Sequence, residues 1–168
     1  PRSEVYSGLE YIDTNMGGTT PLEIILRSKE KGHFRTEAGL AAIRSAQRFF
    51  DTIPETGNVR SLATLADEFR KCYPKMKDGA VVATLHSIPA AREQIRDFCD
   101  DDFTMSRVQV RMHETARTLN RKKILDALRI HLDSEPALAG LEEKRPTGVF
   151  LLYSNMLQSL IRSQKDTY

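Results

Sequence analysis

The chain has 168 residues, with 25 basic and 23 acidic side chains and a formal net charge of +2. That length fits one domain, or one domain with a sizeable insertion, and so balanced a charge gives no electrostatic ground for a nucleic-acid partner. Hydrophobic residues at 40% and charged residues at 29% exclude a disordered chain, and no apolar run approaches the roughly 20 residues that a bilayer-spanning helix needs.

At this length a fold buries about 68–70% of its unfolded surface, so stability needs no metal or disulfide staple. No signal peptide is visible. The chain starts at Pro1 rather than Met, as a processed or excised piece would. Cys72 and Cys99 have no clustered Cys or His partners of the kind a metal site requires. The spacing leaves two buried free thiols or, in an oxidising compartment, one disulfide.

Leu9, Ile12 and Met16 recur at helical spacing across residues 5–16, and Gly17-Gly18-Thr19-Thr20-Pro21 ends that helix in a turn. Alternation of Leu22, Ile24 and Leu26 predicts a first strand. Thr36 suits the N-cap of a helix that carries Leu40, Ile43 and Phe50 on one stripe, widened by Ala42, Ala46, Phe49 and Ile53. Pro54 and Gly57 stop that helix, and residues 58–62 read as a short second strand.

Helical spacing returns over residues 63–73 (Leu65, Phe69, Cys72) and 90–99 (Ala91, Ile95, Phe98, Cys99). Residues 81–85 form an apolar run that periodicity alone assigns to neither class. Residues 105–112 form the clearest strand, with Val108, Val110 and Met112 alternating with Arg107, Gln109 and Arg111. Thr118 or Asn120 then caps a helix with Leu125, Leu128 and Leu132 inward. Residues 135–144 read as a connector, 147–153 as a last buried strand, and Ser154 as the start of a final helix.

With residues 63–103 set aside as a helical insertion, the order is β-α-β-β-α-β. This is the ferredoxin-like arrangement of an α+β domain, with two long helices covering one face of a four-stranded sheet. Residues 1–21 form a helical lead-in, 22–153 the domain and 154–168 a terminal helix.

No catalytic constellation emerges. Gly17-Gly18-Thr19-Thr20 lacks the lysine and spacing of a phosphate loop, and His113-Glu114 lacks the second histidine of a metalloprotease helix. Asp100-Asp101-Asp102 lacks the glycine-bearing turn of a calcium loop and reads as solvated charge. Arg121-Lys122-Lys123 reads as a solvated face with the capacity to contact headgroups or a partner. His33, His86 and His131 have no partner at ligand spacing. Neither a metal nor another cofactor is expected, and neither is turnover.

Two segments carry a resemblance. Residues 11–23 (YIDTNMGGTTPLE) resemble the "IDxxLGGTTPL(D/E)" signature in a periplasmic loop of hydrophobe/amphiphile-type exporters of the resistance–nodulation–division superfamily. Residues 147–164 (TGVFLLYSNMLQSLIRSQ) resemble the stretch that closes such a loop before the next membrane helix. The exit through Pro54, Gly57, Val59, Ser61 and Leu62 is similar as well, whereas residues 63–103 are not diagnostic, and the polar Lys165-Asp166 departs from the pattern.

The resemblance implies a porter-type domain in the periplasm, part of a proton-driven inner-membrane transporter whose substrates are apolar: drugs, fatty acids, sterols or hopanoids. Its implied partners are the other periplasmic loop and the membrane helices of the parent protein, and a periplasmic adaptor or lipid carrier. A lipid-handling cleft is largely apolar. Phe69, Tyr73, Ile88, Ile95 and Phe98 in the insertion, packed against Phe49, Phe50 or Phe103, are its candidate lining, and ordinary core is the competing assignment for each.

Overall fold

The structure, a computed structural model, describes residues 4–165. Asp166, half of the polar departure noted above, lies outside the described residues. The fold is α+β, with four strands in one antiparallel sheet of order β2-β3-β1-β4. Strand β1 (Thr20–Arg27) occupies the middle with β3 (Met105–Met112), while β2 (Thr56–Arg60) and β4 (Glu143–Thr147) form the edges. Leu22 opposes Val110, Ile24 opposes Val108, and Ile24 also faces Pro146 across the β4 pairing.

Period-two alternation sorts the sheet into two faces. Leu22, Ile24, Leu26, Val108, Val110 and Met112 are buried, whereas Glu23, Arg27, Arg107, Gln109, Arg111 and Arg145 lie on the open face, half-buried or exposed. Helices α2 (Glu37–Arg48) and α6 (Arg121–Ser134) cover the apolar face. Leu40, Ile43 and Ala46 of α2 and Leu125, Leu128 and Leu132 of α6 are buried there. The two helices are tied together where the His131 ring nitrogen Nε2 meets the Ser45 carbonyl at 3.0 Å and the ring lies 5.5 Å from that of Phe49.

The caps act as their chemistry predicts. Thr36 accepts from the Gly39 amide and Asn120 from the Lys123 amide, each satisfying a donor that the first helical turn leaves unpaired. Ser61 departs from its expected place in the second strand, which ends at Arg60. Its hydroxyl accepts from the Ala63 and Thr64 amides, and it opens α3 (Leu62–Cys72) with a capping box.

The insertion contains three helices: α3, α4 (Asp78–Ser87), which is the apolar run that periodicity left open, and α5 (Pro89–Arg96). Helix α3 turns inward through Leu62, Ala63 and Ala66, so Cys72, expected to be buried, is exposed. A charged cluster pins α3 and α4 to the scaffold. Arg44 of α2 donates to both carboxylate oxygens of Asp67, at 2.6 and 3.2 Å, and to Asp78 at 2.8 Å, while Arg70 pairs with Asp78 from the other side. Asp78 also sits in the first turn of α4, where the dipole favours a carboxylate.

Residues 147–153 are not the final strand. Strand β4 lies earlier, over Glu143–Thr147, and the apolar run opens α7 (Val149–Lys165). Between them Gly148 takes φ +99°, a conformation that breaks the strand and that other residues rarely adopt. Strand β4 evaded its apolar pattern because it is a charged edge, and an edge is the one place in a sheet where Pro146 is tolerated. The expected connector over residues 135–144 holds a 3₁₀ turn, Pro136–Leu138, and the first residues of β4.

Gly57 lies where two backbones meet. A Cβ there would stand 2.1 Å from the Gly17 carbonyl oxygen, which is backbone and cannot swing aside. Gly57→Ala is therefore expected to destabilise the chain by about 3 kcal/mol in urea unfolding, whereas Gly140→Ala, with open space around it, should change stability by no more than about 0.5 kcal/mol. Equal effects of the two would contradict this packing.

Candidate functional site

The eight residues expected to line a lipid cleft do not share one cavity. Phe49, Phe50, Ile95, Phe98 and Phe103 are buried members of the general core. Phe49 and Phe50 meet edge to face, and Phe103 lies beneath the Arg35 guanidinium with His86 at its edge. Phe103 also adopts φ +53°, a left-handed conformation that costs a non-glycine residue roughly 1–2 kcal/mol and is held here by burial of the ring.

Ile88 is exposed at the α4–α5 junction, apart from the others. Only Phe69 and Tyr73 come together outside the deep core, stacked at 5.0 Å between ring centroids. Tyr73 then enters an open, largely apolar groove of about 520 Å³ at the α3–α4 turn, which Cys72, Pro74, Lys75 and Met76 complete. Phe98 borders a different cleft of about 280 Å³, between β2 and the insertion, beside Arg60, Leu65 and Gln94. Of these surfaces, the groove at Tyr73 is best suited to an apolar ligand, because hydrocarbon dominates its walls and Lys75 is available for a polar head.

The two thiols differ sharply. Cys99 is buried, with its Sγ 3.6 Å from the Ser106 hydroxyl, and burial pushes its pKa up to about 12. Cys72 lines the groove and is exposed, and neither thiol is bridged. Iodoacetamide should therefore modify Cys72 within minutes and leave Cys99 unmodified until the chain unfolds, as read by peptide mass. Equal labelling of both in the folded chain would contradict the burial of Cys99.

A second constellation lies at the end of the sheet where β1 begins. Asp13, on α1 (Glu4–Asn15), is 1% exposed. Its carboxylate accepts from the Thr19 hydroxyl at 2.6 Å, the Thr115 hydroxyl at 2.8 Å, and the Thr115 and Glu114 amides at 3.0 and 3.1 Å. His113 Nδ1 stands 3.7 Å away.

The network continues outward. Thr20 donates to Glu114 at 2.7 Å, Glu114 pairs with Arg121 at the start of α6, and the Arg121 guanidinium lies 5.7 Å from the Phe150 ring centroid at the start of α7. Thus Gly17-Gly18-Thr19-Thr20 is a turn feeding a strand, as its lack of a lysine implied, and His113-Glu114 is far from a simple surface pair. No local pattern marks this joint, because Glu114 and Thr115 lie about a hundred positions from Asp13.

Asp100 is likewise more than solvated charge. It accepts from the Thr104 and Met105 amides and so closes the turn into β3. Among the described residues, no group of three or more His, Cys, Asp or Glu side chains is placed to hold a metal ion. No protein-family model matches the sequence, and no curated protein matches it.

Burial alone raises the pKa of Asp13, but the hydrogen bonds from Thr19, Thr115 and Glu114 outweigh it and bring the value to about 2. A carboxyl group held below its unfolded value stabilises the fold fully above that value and loses the contribution as pH falls toward the folded one. Asp13→Asn should cost about 3 kcal/mol near neutral pH, and it should flatten the loss of stability between about pH 4 and pH 2. Urea midpoints across that range would test this, and an unchanged acid limb would refute it.

Proposed function

We propose that this chain is a ferredoxin-like, porter-type extramembrane domain of a resistance–nodulation–division exporter, and that it handles a hydrophobic or lipid substrate without catalysing a reaction. The sheet order supports the fold assignment. All neighbours are antiparallel, β1 and β3 are central, and α2 and α6 lie on one face, as in a split β-α-β pair with α3, α4 and α5 inserted before β3. On this reading the domain resides in the periplasm and belongs to a proton-driven inner-membrane protein.

One observation carries the proposal. Both terminal helices attach at the same end of the sheet. Helix α1 feeds β1 through Gly17 and Gly18, and α7 leaves from Gly148, whose added Cβ would stand 3.0 Å from the Pro21 carbonyl oxygen. A loop inserted between two membrane helices needs its two chain ends on one side. No helix among the described residues is long and apolar enough to cross a membrane.

A second reading is a docking module that contacts an adaptor or a sister domain without touching substrate. The scattering of the eight expected lining residues favours it. Equilibrium binding of the chain to a panel of sterol, hopanoid, fatty acid and phospholipid separates the two. The substrate reading requires saturable binding that falls about tenfold in Tyr73→Ser, a loss of roughly 1.4 kcal/mol. Absence of binding across the panel would remove the substrate role and leave the docking module.

A further inference from the structure

Helix α7 is anchored by Phe150 at its start and turns an apolar stripe away from the body. Phe150, Ser154 and Gln158 recur at every fourth position on the side facing the body, with Ser154 buried and the Gln158 amide donating to its hydroxyl at 3.4 Å. Leu152, Met156 and Leu160, offset by two positions from that row, take the opposite side. Leu152 is 63% exposed, Met156 50% and Leu160 55%. Phe150 and Leu151 anchor the first turn in the core, but beyond them the helix sets a hydroxyl and an amide against its own domain and turns Leu152, Met156 and Leu160 outward, the polarity of a helix covered from outside.

Charge identifies the cover. From Val149 to Lys165 the sequence contains no Asp or Glu, and its two charged residues, Arg162 and Lys165, are both basic. A cationic helix with an apolar face and a tyrosine among its leucines suits the boundary between anionic headgroups and acyl chains. At 17 residues, or roughly 25 Å, α7 is long enough to lie along that boundary.

We propose that α7 is a membrane-contacting helix, seated through its Leu152–Met156–Leu160 face in the surface of an anionic bilayer. This inference rests on the reading above, which brings this end of the sheet to a membrane, and it adds that the domain itself touches lipid through α7.

Vesicle flotation of the 168-residue chain tests it. With vesicles of phosphatidylglycerol and phosphatidylethanolamine the chain should float. The partition coefficient should fall at least about tenfold when Leu152, Met156 and Leu160 are all changed to Ser. The three side chains are exposed, so the thermal melt of this variant should match the parent. Arg162→Glu, which leaves the apolar face intact, should weaken binding to the anionic vesicles while binding to pure phosphatidylcholine stays the same.

A chain that remains unbound, or a triple variant that floats like the parent, would overturn the proposal. So would a concentration-dependent dimer, seen by sedimentation velocity, that the triple variant abolishes, because it would assign the face to a second copy. The lipid-panel measurement is read separately. Saturable monomer binding without flotation sinks this inference alone, and flotation without monomer binding sinks only the substrate role.

Discussion

One buried carboxylate holds the end of the sheet together. Asp13 sits near the C-terminus of α1, where the helix dipole disfavours an acidic group, and it is almost wholly removed from water. Unpaired, such a charge would be untenable. Four donors, one from the adjoining turn at Thr19 and three from the distant Glu114-Thr115 segment, make it stable, and in doing so they fix where α1, the β1 turn and the segment after β3 meet. Helix α1 turns Val5, Leu9 and Tyr11 to solvent, so apolar packing contributes little to its placement. Its position is set by polar chemistry, which is directional and so defines an angle as well as a contact.

The joint works because the glycines around it let three backbones approach. Gly17 and Gly18 both take positive φ, and Gly18 passes so near the β3 backbone that a Cβ would lie 2.9 Å from Arg111 and Met112. At the far side of the domain a second charged cluster, Arg44 with Asp67, Arg70 and Asp78, ties the insertion to α2. The helical insertion is therefore anchored through side chains on three separate helices. The second cluster adds to an apolar seam, because Leu62, Ala63 and Ala66 of α3 and Val81 and Val82 of α4 are buried in the same core as Leu40 and Ile43 of α2, whereas the Asp13 joint holds a helix with little such packing.

The sequence was most legible where one periodicity ruled. Strand β3 alternates without interruption over its full length and Thr36 caps α2 as its chemistry predicts, while of the two candidates Thr118 and Asn120 it is Asn120 that caps α6; each of those signals lies within a few neighbouring residues. The last strand was misplaced for a specific reason. An apolar run from Val149 to Tyr153 matches a buried strand, whereas Glu143–Thr147 carries charge and a proline that only an edge permits. The candidate lipid lining failed to converge because an inward phenylalanine looks the same in sequence whether it meets a ligand or another side chain. Burial chose the core for five of the eight residues. The Asp13 joint was illegible, since nothing local distinguishes a carboxylate that will meet Thr115.

The strand order also dictates a timetable. Strand β1 is central and pairs on one side with β3 and on the other with β4, and Arg27 meets Glu143 across 116 positions of chain. At ribosomal rates of about 5–20 residues per second, β1 waits on the order of ten seconds for its second neighbour to exist. During that interval β1 can pair on one side only, with β3. The first strand made is the last to be enclosed, so the sheet closes only after β4 has been synthesised as far as Thr147.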